Sequence, residues 1–72
     1  MKLDYGNTVE ISKNAPHKYY PGEQGELCGV RCVETEEHAK ASDVRIGTVM
    51  WIVEFLDGSS CEIPEEYLSL KG

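Results

Sequence analysis

The side chains best suited to catalysis or metal binding are few in this chain, and they are dispersed. Histidine occurs at His17 and His38, and cysteine at Cys28, Cys32 and Cys61. Acid–base or nucleophilic catalysis needs such a group held against a base, a hydroxyl or a carboxylate. Neither histidine has a cysteine or carboxylate at a spacing that implies a dyad, and both fall in segments that read as loops. Glu36, Glu37 and Asp43 carry oxygen ligands of the kind that gather a cation, but the plainer reading is a solvated charged loop. Zinc needs a fourth ligand and a tight CxxC-type turn, and neither is evident. An odd number of cysteines in a short chain points to reduced thiols. Cys28 and Cys32 lie four apart in a probable strand, about 13 Å along it, too far for a disulfide. Cys61 on a neighbouring strand is able to approach one of them. All three are expected to be buried structural thiols, because free cysteine behaves as a small hydrophobe. No catalytic residue, metal or cofactor is expected, and the chain does not read as an enzyme.

Charge narrows the partners. Thirteen acidic residues against seven basic ones give a formal charge of −6. Phosphate neutralisation drives nucleic-acid binding. Lys2, Lys13, Lys18, Arg31, Lys40, Arg45 and Lys71 are scattered singly, so nucleic acid is not expected as a partner. A basic protein is the better match, since complementary charge speeds encounter. The plainer alternative is that the charge serves solubility alone. No apolar run approaches the roughly 20 residues of a bilayer span; the longest, residues 49–56, is broken by Glu54. The first residues lack the apolar stretch of a signal peptide. A cytoplasmic protein, not membrane-bound, is the expectation.

The elements that must position these groups read as short strands. Seventy-two residues allow one domain, 1–72, with one small core. A chain this short buries only roughly 60% of its unfolded surface. Thr8 to Ile11 alternates, with Val9 and Ile11 inward. Residues 12–24 hold Asn14, Pro16, Pro21 and Gly22 and read as a loop. Residues 25–34 form the second strand. Its parity is inconsistent, and a bulge or sharp bend at Gly29 would let Leu27 and Val30 both face the core. Residues 35–47 are polar; Thr35 is placed to cap a single helical turn, and a mobile loop is the alternative. Thr48 to Leu56 is the strongest strand. Val49, Trp51, Val53 and Phe55 face inward, while Met50 and Ile52 face outward under a terminus or loop. Asp57-Gly58 marks a tight hairpin. Ser59 to Ile63 returns as the fourth strand with Cys61 and Ile63 inward. Pro64 to Tyr67 begins one helical turn with proline first, and Leu68-Ser69-Leu70 is the fifth strand.

Five short strands, a long first loop, a bent second strand and a helical turn before the last strand describe an all-β, five-stranded SH3-like barrel. The run from Pro21 to Leu27 and that from Val53 to Leu70 resemble the small bacterial SH3-like proteins encoded beside polymorphic toxins, immunity proteins among them. Gly22, Gly25, Leu27, Val53, Glu54, Phe55, Asp57, Gly58, Leu68 and Leu70 carry the resemblance. It implies an inhibitor that blocks a cognate toxin by occlusion, acting as a monomer or weak dimer, and it brings no catalytic residue. The long polar insert between strands two and three departs from the shortest members. The candidate partner surface is Tyr19 and Tyr20 with Glu34, Glu36, Glu37 and Asp43, set against a basic toxin domain. The alternative is a generic adaptor or peptide-binding domain, or a small subunit of a larger complex. A polyproline-binding domain is disfavoured because the lone Trp51 lies in mid-strand. A methyl-lysine cage from Tyr19, Tyr20 and Glu54 competes with the simpler reading that the tyrosines shield one end of the core.

Overall fold

The computed structural model describes residues 3–71; Lys2, one of the scattered bases, lies outside them, as do Met1 and Gly72. Strands form where apolar and polar residues alternate or β-branched residues gather. β1 (Thr8–Ile11), β2 (Gln24–Cys32), β3 (Val49–Glu54), β4 (Ser60–Pro64) and β5 (Leu68–Leu70) make one antiparallel sheet in the order β4-β3-β2-β1-β5. Among the described residues β4 and β5 do not pair, so hydrogen bonds do not close the sheet into a barrel. The sheet folds over one core. Val9, Ile11, Leu27, Trp51, Val53, Ile63 and Leu68 come from all five strands, and Leu3, Ala15 and Tyr19 join them from connections. Among the described residues the fold is mostly β, with one α-helix.

β2 serves both halves of this sheet. Its start pairs with β1, Gly25 opposite Val9, and its remainder pairs with β3. Between Leu27 and Gly29 the register shifts, which leaves Cys28 as the extra residue. The irregularity thus lies one residue before the expected Gly29. It sets Leu27 opposite Val53 and Val30 opposite Trp51. Only Leu27 is buried, and Val30 remains 38% exposed. The parity reading for Val30 is corrected accordingly.

The polar insert folds into a helix. Thr35 Oγ1 accepts from the His38 N–H at 3.2 Å, α1 runs Glu36–Ser42, and Asp43 ends it in a left-handed conformation. A helix of seven residues is not stable alone. Ala39 holds it by packing with Val33 and Met50, with Val44 alongside. Met50, assigned to the outer face, is therefore buried beneath α1. Arg31 fastens the helix from the sheet. Its Nη2 donates to Ser42 Oγ and to Glu62 Oε1, both at 2.9 Å, and its Nε donates to Glu62 Oε2.

The β3–β4 hairpin turns at Gly58, whose φ of +88° suits a residue without a β-carbon. Asp57 Oδ1 accepts from both the N–H and the hydroxyl of Ser59. Two 3₁₀ turns complete the chain: His17–Tyr19 in the first loop, and Glu65–Tyr67, which Pro64 precedes instead of opening.

Phe55 corrects the expected core. β3 ends at Glu54, and Phe55 is only half-buried against the core's edge. Ile63, with no exposed surface, is expected to lose about 2–5 kcal/mol on truncation to alanine. Phe55→Ala should cost less. Urea unfolding of both variants tests this, and the packing account fails if Phe55→Ala proves the more damaging.

Candidate protein-binding site

Three segments distant in sequence meet at one open groove of about 780 Å³: the first loop, the α1–β3 connection and the second 3₁₀ turn. Pro16, Lys18, Tyr19, Asp43, Arg45 and Tyr67 are among the residues that line it. Each is set by local chain geometry. The Tyr19 N–H donates to the Pro16 carbonyl at 2.9 Å, closing the first 3₁₀ turn and sinking the ring to 6% exposure. The Ser12 N–H donates to the Tyr67 carbonyl at 2.7 Å and ties the start of the first loop to the second 3₁₀ turn. The Tyr19 and Tyr67 rings then stand 5.8 Å apart, tilted by 35°. Trp51 Nε1 donates to Glu65 Oε2 at 2.8 Å, so a core residue orients an acid of the groove.

Asp43 enters from the other side. Its Oδ2 accepts from Lys18 Nζ at 3.2 Å, and the same ammonium lies 5.1 Å from the Tyr19 ring centre. The hydrogen bond to Asp43 raises the Lys18 pKa above its ordinary value. Both side chains face solvent, so this bridge orients the two loops more than it stabilises the fold. Arg45 makes no ion pair among the described residues. The result is an aromatic floor with both signs of charge around it. The lining holds no histidine or cysteine, so no such nucleophile–base pair meets a ligand there.

The sequence-derived residues divide. Tyr19 and Asp43 come together. Tyr20 diverges: its backbone is left-handed, with φ 57° and ψ 61°, and its ring meets Phe55 edge-on at 5.4 Å on the far side of the loop. Glu34, Glu36 and Glu37 are exposed and lie outside the groove. Glu36 and Glu37 occupy the start of α1 and Asp43 follows its end, a separation of about 10 Å at 1.5 Å rise per residue. Glu36 and Asp43 share the lining of a neighbouring cleft, to which Glu34 and Glu37 do not contribute. Tyr67, Lys18, Arg45 and Glu65 were not singled out from sequence. The proline before a one-turn helix was visible, but its tyrosine read only as part of that turn.

Among the described residues no group of three or more His, Cys, Asp or Glu is placed to hold a metal ion, and no helix is long and apolar enough to cross a membrane. The cysteines are free, but their expected burial is corrected: Cys28 and Cys32 are exposed, and only Cys61 is partly covered. Burial, and then the Glu62 carboxylate, push the Cys61 thiol up. Compared with protein-family models, with curated proteins and with solved structures, the chain gave no match.

Two expectations follow from these groups. Alkylation at neutral pH should modify Cys28 and Cys32 quickly and Cys61 slowly, because the thiolate is the reactive form. Peptide mapping over time reads this, and Cys61 reacting first contradicts it. The second concerns Glu62, whose carboxyl the Arg31 hydrogen bond holds below its ordinary 4.5, with burial opposing. A depressed folded-state pKa contributes stability that is complete above the unfolded value and lost as pH falls through the folded one. Stability should therefore fall below pH 4.5, and Glu62→Gln should flatten that part of the profile. An unchanged acid limb in the variant rules the pair out as its source.

Proposed function

We propose that this protein works by binding another protein, with the groove on the Tyr19–Tyr67 pair as its contact surface. One observation carries the reading. Three connections converge on an open groove lined by two aromatic rings that the core and the backbone hold in place, Tyr67 half-buried and Tyr19 nearly covered. Ordered aromatics beside mixed charge suit an extended polypeptide segment, which offers apolar and polar groups in alternation. The strand order β4-β3-β2-β1-β5, the bent β2 and the 3₁₀ turn before β5 support reading the folded sheet as an SH3-like barrel. Its function is binding and not catalysis, and it acts as a monomer or weak dimer. The free thiols favour the reducing cytoplasm.

In its most specific form the reading is an immunity-type inhibitor that occludes a cognate bacterial toxin. The family resemblance at Gly25, Val53-Glu54-Phe55 and Asp57-Gly58 supports this, as does a formal charge of −6 suited to a basic partner.

The test begins with the partner isolated from the source organism. An inhibitor reading requires that this partner arrest growth when expressed alone and not when co-expressed with the chain. Asp43→Lys, a change on an exposed side chain, is expected to weaken the complex by about tenfold or more, as loss of a close interfacial charge pair does. Glu36→Lys with Glu37→Lys should slow association at low salt only, because remote charges steer without contact. Full affinity in folded Asp43→Lys moves the interface off the groove. A harmless partner leaves the adaptor reading in place of the inhibitor.

A further inference from the structure

Tyr20 lies at a second surface, on the hairpin side of the same loop. A groove of about 550 Å³ runs there, lined by residues that include Tyr20, Pro21, Glu23, Phe55, Leu56 and Asp57. Leu56 is fully exposed at the hairpin and Tyr20 is 54% exposed, two large apolar side chains left in water at one place. Among the described residues no lysine or arginine lines this groove; its ionisable side chains besides Tyr20 are the carboxylates of Glu23 and Asp57 and the imidazole of His17. Hydrogen bonds from Ser59, first from its hydroxyl, lower the Asp57 pKa and keep it charged.

The adjoining strand face adds to the negative field. Glu26 and Glu54 stand directly opposite each other in the β2–β3 ladder, both exposed, and neither has an ion-pair partner among the described residues. Like charges in that relation destabilise a sheet. Neither glutamate lines the groove, but each is close in sequence to a residue that does, Glu26 to Gln24 and Glu54 to Phe55.

We propose that this hairpin surface receives an arginine-bearing segment of a protein partner. An arginine has what the site lacks and needs. Its planar guanidinium stacks on aromatic rings such as the Tyr20–Phe55 pair, and its fork of donors meets carboxylates. An aliphatic neighbour of the arginine would cover Leu56. A second copy of this chain is the poorer occupant, because it would bring Glu23, Glu26, Glu54 and Asp57 against the same four carboxylates. The surface is separate from the Tyr19–Tyr67 groove, and the inference does not rest on that site's being occupied.

The test uses the full chain, labelled with nitrogen-15, and two capped peptides, acetyl-Leu-Arg-Leu-amide and acetyl-Leu-Gln-Leu-amide. The arginine peptide is expected to give saturable shifts at the Tyr20, Phe55, Leu56 and Asp57 amides. The glutamine peptide should bind about tenfold more weakly, as loss of one charge-assisted contact predicts. Glu26→Gln should melt at a higher temperature than the parent, because the like-charge pair is relieved, and yet bind the arginine peptide less well. Leu56→Ser, a surface change that leaves the core alone, should also weaken binding. Equal response to both peptides overturns the proposal. So does the absence of saturable shifts up to the peptide's solubility limit, a response confined to Tyr67 and Asp43, or peptide-independent dimerisation through the Leu56 face in sedimentation.

Discussion

At Gly25 the second strand passes so close over the end of the third that an added β-carbon would lie 2.5 Å from Val53 Cγ1 and 2.6 Å from the Glu54 carbonyl oxygen. Neither neighbour has room to move: Val53 is wholly buried, and the carbonyl is backbone. This close crossing lets one strand pair with β1 at its start and with β3 along the rest, so that a short chain encloses a core with a single bent sheet. Any other residue there would push β2 away from β3. The pairing that puts Leu27 opposite Val53 would separate, and the two halves of the sheet would no longer share one interior.

The groove depends on that geometry at one remove. Because the sheet folds over, the first loop and the 3₁₀ turn before β5 arrive side by side, linked through Ser12 and Tyr67. The helix reaches the third side only because the outer face of the sheet is itself apolar at Val33 and Met50. Arg31 and Glu62 then hold it in place across a half-exposed surface, where paired hydrogen bonds give direction that packing alone does not. Core, second layer and groove are successive consequences of one strand's path.

Strand existence was legible because period-two patterns and the Asp57-Gly58 turn are local signals. The capping role of Thr35 was legible for the same reason. What sequence left open depended on long-range packing. Helix and loop competed for residues 35–47, and the side chain that decides between them, Met50, belongs to another element. Phe55 matched the parity of Trp51 and Val53, but parity does not say where a strand stops. Cys28 and Cys32 looked like small core residues because free cysteine behaves as a small hydrophobe, yet both stand on the exposed side of β2, Cys28 as the extra residue of the register shift. At the site, Tyr19 and Tyr20 are adjacent in sequence and one backbone torsion sends them to opposite sides of the loop. No periodicity encodes that.

Two residues in the chain other than glycine adopt left-handed backbone among those described, and both border a groove: Tyr20 with φ 57° and Asp43 with φ 55°. Glycine would serve either position at lower cost, since a β-carbon there raises the energy by roughly 1–2 kcal/mol. The side chains explain why the strain persists. Asp43 terminates α1 through its N–H and reaches Lys18 through its carboxylate, joining two loops that share no strand. Tyr20 ends the first 3₁₀ turn through its N–H and lays its ring against Phe55, covering the edge of the core where β3 has stopped. Each position therefore combines a turn that favours glycine with a contact that glycine lacks. The fold spends stability at these two points, next to the surfaces it leaves open, and the backbone hydrogen bonds that close each turn, together with the Lys18 and Phe55 contacts, hold the strained conformations in place.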